Sequence, residues 1–255
     1  MLLDFTGKNV FITGGSRGIG RACAVLFSKL KANVAITYKS NKKEAENTLD
    51  LLDRNLQNTM YCLDMGDAAN IEHVFNQAAD QYKKIDVIIN NAGIFLEHKI
   101  TNVDYKQWQQ IWQQTIATNL TGVANLCFVA AHHMMQHGGG KIVNIGSRGA
   151  FRGEPDHPAY GASKAGLHSM SQSLAVALAP HNITIGVVAP GFVETDMTTA
   201  YLQSEKGDAV KKQSPLNRVA TADEVANIVA VFAAEGFEFM TGGIVDLNGA
   251  SYLRT

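Results

Sequence analysis

The 255-residue sequence lacks the features that typify membrane, secreted and nucleic-acid-binding proteins. No stretch approaches 18 consecutive apolar residues, and the first 15 residues lack the basic region and long apolar run of a secretory signal. Its 22 basic and 23 acidic side chains give a formal net charge of −1, so no overall positive field would attract nucleic acid or an anionic membrane. We therefore expect a cytoplasmic protein whose partners are small molecules or copies of itself, with neither nucleic acid nor membrane among them.

Cysteine is scarce, and no metal-ligand cluster stands out. Cys23, Cys62 and Cys127 are far apart and form no CxxC pair, which fits free thiols buried as small apolar residues in a reducing compartment. His133 and His137 have the i, i+4 spacing of a chelating pair, but no acidic or cysteine ligand accompanies them and three glycines follow. The sequence therefore predicts a helix end here and no metal site.

Seven short apolar runs alternate with longer helix-like segments. Their β-branched, non-alternating composition is typical of strands that are covered on both faces, and the segments between them are long enough for crossover helices. The runs are 9–13, 33–37, 60–64, 86–90, 141–145, 183–189 and 242–247. No linker, repeat or low-complexity tract interrupts them. We predict an α/β fold in a single domain over 1–255, with a doubly wound, seven-stranded parallel sheet and helices on both faces.

Two further segments carry structural information. Thr221 and Glu224 have the spacing of a capping box and predict a helix over 222–234. The stretch 192–217 lacks a clean period and contains glycine and proline, so it predicts a long, partly helical excursion. Such an excursion is either a substrate lid or a disordered surface loop.

A glycine-rich turn follows the first predicted strand. The sequence GGSRGIG at 14–20 leads from that strand into a helix-like segment. Glycine permits a tight turn and lets backbone N–H groups and the helix N-terminus approach a pyrophosphate. The spacing is GxxxGxG rather than GxGxxG, and its position after the first strand favours a dinucleotide site over an ordinary flexible turn.

The end of the second strand bears on which dinucleotide is bound. A carboxylate there would accept hydrogen bonds from the adenosine ribose, but the chain has Tyr38, Lys39 and Ser40 instead. Arg17 from the glycine turn and Lys39 could surround a 2′-phosphate, or both could be solvated surface cations. We predict that NADP(H) is preferred, with NAD(H) possible.

The stretch AYGASKA at 159–165 places Tyr160 and Lys164 on one helix face. By itself the pair could be incidental. A tyrosine in water has a pKa near ~10, so efficient proton exchange near neutrality would need a nearby cation that outweighs desolvation. Lys164 could supply that charge, and Ser147, after the fifth predicted strand, could polarise a substrate carbonyl.

These motifs occur in a characteristic order: TGGSRGIG at 13–20, Asp64, NNAG at 90–93, Asn119, Ser147, Tyr160 with Lys164, and Pro190-Gly191. In this order, and over nearly the whole chain, the sequence resembles the short-chain dehydrogenase/reductase family, and within it the 3-oxoacyl-(acyl-carrier-protein) reductase-like branch. The resemblance implies a Rossmann fold and an NADP(H)-preferring oxidoreductase acting on a CH–OH group.

The resemblance also implies roles for individual residues. The catalytic set is Asn119, Ser147, Tyr160 and Lys164, in which Asn119 anchors a water that relays protons to Lys164. The pyrophosphate and 2′-phosphate side is Gly14, Ser16, Arg17, Gly18, Ile19 and Gly20, facing Tyr38, Lys39 and Ser40. Asp64 and Met65 flank the adenine, and Asn91, Ala92 and Gly93 line the adenosine ribose. Pro190, Gly191, Val193 and Thr195 hold the carboxamide, while Tyr160 and Lys164 face the nicotinamide ribose.

The expected reaction is hydride transfer between nicotinamide and a carbonyl or secondary alcohol, with a 3-oxoacyl thioester as the leading substrate. The alternatives are a sugar or secondary-alcohol dehydrogenase, such as a glucose dehydrogenase-like enzyme, and a non-catalytic dinucleotide sensor or scaffold. The resemblance further implies a homotetramer or homodimer. Two departures bear on the substrate: the segment 104–112 is longer than usual, and Arg148 directly follows Ser147. Arg148 and Arg152 could favour an anionic substrate or form a structural ion pair.

Overall fold

A computed structural model of the chain describes residues 3–195 and 198–254. Its strands are β1 (Asn9–Ile12), β2 (Asn33–Tyr38), β3 (Thr59–Cys62), β4 (Val87–Asn90), β5 (Gly140–Ile145), β6 (Ile183–Pro190), β7 (Val193–Glu194), β8 (Ala220–Thr221) and β9 (Ile244–Leu247). The helices are α1 (Gly18–Lys29), α2 (Lys42–Leu49), α3 (Ala68–Tyr82), α4 (Tyr105–Ile116), α5 (Gly122–Gln136), α6 (Gly149–Arg152), α7 (Pro158–Leu178), α8 (Thr199–Leu202), α9 (Glu205–Lys211) and α10 (Ala222–Ala233).

The main sheet confirms the predicted architecture. It has seven strands in the order β3-β2-β1-β4-β5-β6-β9, and every neighbouring pair is parallel. All seven predicted apolar runs form these strands. In chain order, β2 and β3 lie on one side of β1, and β4 lies on its other side. The carboxyl ends of β1 and β4 therefore flank the point where the strand order reverses, which is where open α/β sheets bind ligands.

Burial on both faces explains the non-alternating apolar runs. Adjacent residues of β1 point to opposite sides: Ile12 packs with Phe27 of α1 in one core cluster, and Phe11 packs with Phe75 of α3 in the other. All four side chains are at most 1% exposed. Each strand residue thus meets helix side chains whichever way it points, so both faces select apolar residues.

The predicted helix ends are largely confirmed. Thr221 and Glu224 form the capping box, with each side chain bonding the other's backbone N–H, and α10 ends one residue before the predicted 234. His137 caps the end of α5. His133 lies one turn earlier, where its Nε2 accepts the N–H of Ile85 at 3.1 Å. His133 therefore links α5 to the segment just before β4.

The excursion at 192–217 is partly helical, as predicted. It contains α8 and α9, and its first strand, β7, pairs with β8 in a small parallel sheet that the sequence pattern did not reveal. Residues 196 and 197 of the excursion lie outside the described residues. Among the cysteines, Cys23 and Cys127 are buried, but Cys62 is exposed at the end of β3, so its interpretation as a core residue was wrong.

A π-helical segment, Ala117–Thr121, joins α4 to α5 and turns Asn119 inward until it is 0% exposed. At the start of α5 the chain packs closely against the loop after β3, where a Cβ on Gly122 would lie only 1.9 Å from the carbonyl oxygen of Met65. Asp104 and Gln107 close a capping box at the start of α4, which accounts for the polar beginning of the long 104–112 segment. Within the described residues, no helix is both long and apolar enough to cross a bilayer.

Candidate active site

One cavity of about 590 Å³ lies at the carboxyl edge of the sheet, over the reversal of strand order. It is lined by Gly14, Ser16, Arg17, Gly18, Ile19, Tyr38, Lys39, Ser40, Asp64, Met65, Asn91, Ala92, Gly93, Ser147, Tyr160, Lys164, Pro190, Gly191, Val193 and Thr195. The structure thus brings together all the site residues named from the sequence except Gly20 and Asn119. Its size and its placement of polar groups suit a small-molecule site.

The glycine turn forms one wall of the cavity. Gly14 and Gly18 have φ values of 65° and 54°, in the left-handed region that favours glycine. Arg17 occupies the N-cap position of α1, but its side chain accepts no hydrogen bond from the helix. The N–H groups in the first turn of α1 therefore have no side-chain acceptor from Arg17. A helix N-terminus with open N–H groups beside a glycine turn fits a dinucleotide pyrophosphate.

Gly20 contributes by packing. A Cβ at this position would lie 2.2 Å from the carbonyl oxygen of Gly14 and 2.6 Å from Nδ2 of Asn91. That same Nδ2 donates to the carbonyl oxygens of Thr13 and Gly14, each at 3.0 Å. Gly20 therefore lets α1 pack closely against the glycine turn, and the hydrogen bonds of Asn91 hold that turn in place.

At the far end of the cavity, Lys39 and Asp64 form an ion pair at 2.8 Å. Burial of Asp64 opposes ionisation, but the bond from Lys39 and the N–H of Gly66 outweigh it and lower the pKa of Asp64. A carboxylate thus stands beside the second strand after all, contributed by the loop after β3. With Arg17 exposed at the same end, the three side chains carry a net positive charge.

Tyr160 and Ser147 face each other at the other end of the cavity. Ser147 follows β5 and its Oγ accepts the N–H of Gly149 at 3.0 Å, which leaves its O–H able to donate. Tyr160 lies in the first turn of α7, where Phe95 packs edge-on against it with ring centroids 4.7 Å apart. A carbonyl oxygen placed between Ser147 and Tyr160 would meet two hydroxyl donors.

Burial shifts the pKa values of both Tyr160 and Lys164. Burial raises the pKa of Tyr160, the Ser147 hydroxyl partly offsets this, and the charge of Glu154 adds to the rise. Lys164 is 5% exposed, and its Nζ donates to the carbonyl oxygen of Ile145 at 2.7 Å. Burial lowers the pKa of Lys164 to about 8. Desolvation therefore dominates both groups, and a lowering of the phenol's pKa by Lys164 stays a prediction.

Asn119 is held by long-range contacts rather than by its own helix. Its Oδ1 accepts the N–H of Ile94 at 2.8 Å, and its Nδ2 donates to the carbonyl oxygen of Ile94 at 2.9 Å. The same Nδ2 reaches Ser163 Oγ at 3.3 Å. Asn119 thereby ties the loop after β4 to α7, the helix that carries Tyr160 and Lys164. The water relay implied by resemblance stays a prediction.

A buried histidine accepts a hydrogen bond from the backbone of Ser147. His168, one turn after Lys164, is 3% exposed, and its Nε2 accepts the N–H of Ser147 at 3.4 Å. A Cβ on Gly146 would lie 2.1 Å from that nitrogen, so only glycine leaves room for the ring. Burial, with added repulsion from Lys164 and Arg254, lowers the pKa of His168 from 6.5 to about 4.

This lowered pKa makes a pH-dependent contribution to stability. Between pH 6.5 and about 4 the unfolded chain binds a proton at His168 that the folded chain does not, so the free energy of unfolding falls as the pH falls through this window. The loss should approach about 3 kcal/mol at most. Urea unfolding at pH 7 and pH 4.5 should therefore show a smaller loss for His168→Asn than for the wild type. Equal losses would contradict the assignment.

Sequence reasoning missed several residues that line the cavity. They are Ile94, Phe95, Thr118, Gly146, Glu154, Phe192 and Thr198. Glu154 is the most consequential, because it is an acidic group close to Ser147. Its pKa is raised by burial, against the lowering effect of Arg152 and Arg148. No motif marks these residues, since most lie in loops that only the tertiary structure brings to the cavity.

Comparisons with known proteins show relatives that match nearly the whole chain. A family profile described as "Enoyl-(Acyl carrier protein) reductase" matches residues 14–249. The 3-oxoacyl-[acyl-carrier-protein] reductase FabG of Escherichia coli (strain K12) is 36% identical over 251 residues, which is 98% of this chain and 100% of that protein. The FabG of Staphylococcus aureus (strain Mu50) is 33% identical over 247 residues, which is 96% of this chain and 98% of that protein. The chain belongs to the short-chain dehydrogenase/reductase family.

Solved structures of short-chain dehydrogenase/reductases share the whole fold. A short chain dehydrogenase from Burkholderia cenocepacia J2315 in complex with NADP matches with a TM-score of 0.88 and 29% identity, covering 97% of this chain and 98% of that one. A dehydrogenase/reductase from Sinorhizobium meliloti 1021 matches with a TM-score of 0.90 and 27% identity, covering 98% and 97%. As a short-chain dehydrogenase/reductase, the chain is an oxidoreductase.

Proposed function

We propose that the protein transfers hydride between NADP(H) and a carbonyl or secondary alcohol, with Tyr160 as acid and base, and that a 3-oxoacyl thioester is the leading substrate. The observation that carries the proposal is the convergence of Ser147, Tyr160 and Lys164 in the cavity whose other end is the glycine turn. The 3-oxoacyl preference is supported by the relatives that are 33–36% identical to this chain over nearly its whole length.

The residues divide the chemistry between them. NADPH, when bound, supplies the hydride. Ser147 donates a hydrogen bond to the substrate oxygen, and Tyr160 gives that oxygen its proton. Because burial raises the pKa of Tyr160, the phenol stays protonated through the neutral range, which is the form that reduction needs. Lys164, with its pKa near 8, can return a proton to Tyr160, and Asn119 positions the helix that holds both.

The preference for NADP(H) over NAD(H) is supported by the charge at the adenosine end. Arg17 is exposed beside the cavity, and the Lys39–Asp64 pair next to it is neutral as a unit. One uncompensated cation therefore faces the region of the 2′-phosphate. The Burkholderia cenocepacia neighbour binds NADP in the same fold.

A panel of substrates tests the proposed activity. The purified protein is incubated with NADPH or NADH and an acetoacetyl thioester, a simple ketone or, in the reverse direction, glucose and secondary alcohols. Reduction of the thioester at the highest kcat/KM supports the proposal. Preference for glucose or another polyol would instead identify a sugar dehydrogenase, and NADPH binding without any turnover would identify a sensor or scaffold.

We also propose that the protein is a homotetramer or homodimer, with the helices that carry Asn119 and Tyr160 forming much of the interface. Support comes from exposed apolar side chains: Phe128, on the α5 helix that directly follows the Asn119 segment, is 65% exposed, and Val176 on α7 is 81% exposed. Analytical ultracentrifugation should give a mass of two or four chains. Substituting Phe128 with Glu should shift the distribution toward smaller species, whereas a stable wild-type monomer would contradict the proposal.

A further inference from the structure

Arg148 directly follows Ser147 and is one of the least exposed charged residues of the chain. Its side chain is 4% exposed, and it lines the substrate end of the cavity. The sequence left two roles open for Arg148 and its neighbour Arg152: binding an anionic substrate, or forming a structural ion pair. The contacts of Arg148 distinguish between them.

Within residues 3–195 and 198–254, the guanidinium of Arg148 contacts neutral groups only. Nη1 donates to Ser251 Oγ, and Nη2 donates to Gln213 Oε1 at 2.6 Å. The guanidinium carbon lies 5.3 Å from the centroid of the Phe192 ring. A guanidinium has five N–H donors, so these two bonds do not exhaust its capacity to donate to a further acceptor. The ion-pair role is therefore not the one that these contacts support.

A second arginine reaches the same point. Arg152 Nη1 donates to Gln213 Oε1 at 3.1 Å, so two cations converge on one neutral amide oxygen of the 192–217 segment. Buried charges in proteins are ordinarily paired with an opposite charge. A carboxylate would form stronger, charge-assisted hydrogen bonds with these two guanidinium groups than the neutral amide oxygen of Gln213 does.

Glu154 is an acidic group whose charge acts on both arginines. Its Oε1 lies 2.9 Å from the point that a Cβ on Gly149 would occupy, and Ser147 Oγ lies 3.2 Å from that point, so Glu154 faces the catalytic serine. It acts on Arg148 and Arg152 through their charges without a direct bond. Burial of Arg148 and its repulsion from Arg152 lower the pKa of Arg148, against a smaller opposing effect of Glu154. Two arginines and one acid leave a net positive charge at this end of the cavity.

We propose that Arg148 anchors a carboxylate on the substrate, and that the enzyme therefore favours small oxo acids over neutral oxo esters with the same ketone. Because Arg148 and Ser147 are adjacent, the carboxylate and the reacting carbonyl would belong to the same short molecule. The inference rests on the proposed carbonyl reduction at Ser147 and Tyr160. It concerns only the group next to the ketone: a higher kcat/KM for the oxo acid than for an acetoacetyl thioester would make the acid the leading substrate and leave the chemistry at Ser147 and Tyr160 unchanged.

The test compares acetoacetate with ethyl acetoacetate, which share a ketone and differ in one negative charge. NADPH-dependent kcat/KM is measured for both substrates with the wild type and with Arg148→Met, Arg148→Lys, Glu154→Gln and Arg152→Gln. Each variant yields an acid-to-ester ratio, in which any loss of folded protein cancels. Isothermal titration of both compounds, with NADP⁺ present, gives the same comparison without turnover.

In the wild type we expect the acid to be preferred. Arg148→Met should lower the acid-to-ester ratio by about tenfold or more, and Arg148→Lys should lower it less because it keeps the charge. Glu154→Gln should raise the ratio, because it removes a negative charge that faces the substrate. Arg152→Gln removes the exposed cation that shares Gln213 and lies outside the cavity lining, so it should lower the ratio less than Arg148→Met does.

Two results would overturn the inference: a wild-type ratio at or below one, or equal losses for acid and ester in Arg148→Met, which would make Arg148 only a tether for the 192–217 segment. Failure of the proposed function is separable from both. In that case the wild type reduces none of the acid, the ester and an acetoacetyl thioester, and the titrations alone decide whether Arg148 selects the anion.

Discussion

Replacing Tyr160 with Phe should lower kcat for carbonyl reduction by about a thousandfold, because the substitution removes the proton donor and leaves the ring. The ring itself is retained in its contact with Phe95, so folding and NADPH affinity should stay close to wild type. Pre-steady-state or steady-state oxidation of NADPH with a reducible ketone measures the effect, and fluorescence titration of NADPH measures the affinity.

Tyr61→Phe is the matched control for this prediction. It removes the same hydroxyl from a tyrosine that donates to Gln81 at 2.6 Å, away from the cavity. Its kcat should equal that of the wild type. If Tyr160→Phe keeps turnover within a few fold of the wild type, proton delivery does not depend on the phenol.

Replacing Arg17 with Ser should lower kcat/KM for NADPH by about ten- to a hundredfold and leave the value for NADH nearly unchanged. Arg17 is the cation at the adenosine end that Asp64 does not neutralise, and a hydrogen-bonded charge on a phosphate typically contributes about 1.5–3 kcal/mol. Arg54→Ser removes an exposed arginine outside the cavity lining and should change neither value.

Lys39 and Asp64 extend this prediction. Lys39→Met should have a smaller effect on NADPH than Arg17→Ser, because Asp64 already pairs with the ammonium group at 2.8 Å. Asp64→Asn should strengthen the NADPH preference by releasing Lys39. A wild-type preference for NADH, or equal losses with both cofactors in Arg17→Ser, would contradict the charge-based account of cofactor choice.

The sequence predicts the fold because strand burial leaves a direct mark on composition. Residues such as Phe11 and Ile12 face opposite cores, so both must be apolar, and each of the seven runs shows the same constraint. The site is predictable for a related reason. Its motifs follow strand ends, and parallel strands bring those ends to one edge of the sheet.

The remaining features depend on distances that a sequence does not contain. Glu154 and Phe95 reach the cavity from loops, and His168 supports Ser147 only because Gly146 leaves space for its ring. Burial raises the pKa of Tyr160, and the four-residue spacing of Tyr160 and Lys164 in the sequence does not reveal how deeply the phenol is buried. The pairing of β7 with β8 joins segments too short to produce a pattern.

Deuterium transfer tests the central claim, hydride transfer to a carbonyl at Tyr160, most directly. The wild-type protein is incubated with an acetoacetyl thioester and NADPH that carries two deuterium atoms at C4 of the nicotinamide, and the product is examined by mass spectrometry and NMR. We predict a 3-hydroxyacyl product with one deuterium on the carbinol carbon, and no such product with Tyr160→Phe beyond the residual rate. A product without deuterium at that carbon, or no reduction by the wild type, would contradict the account.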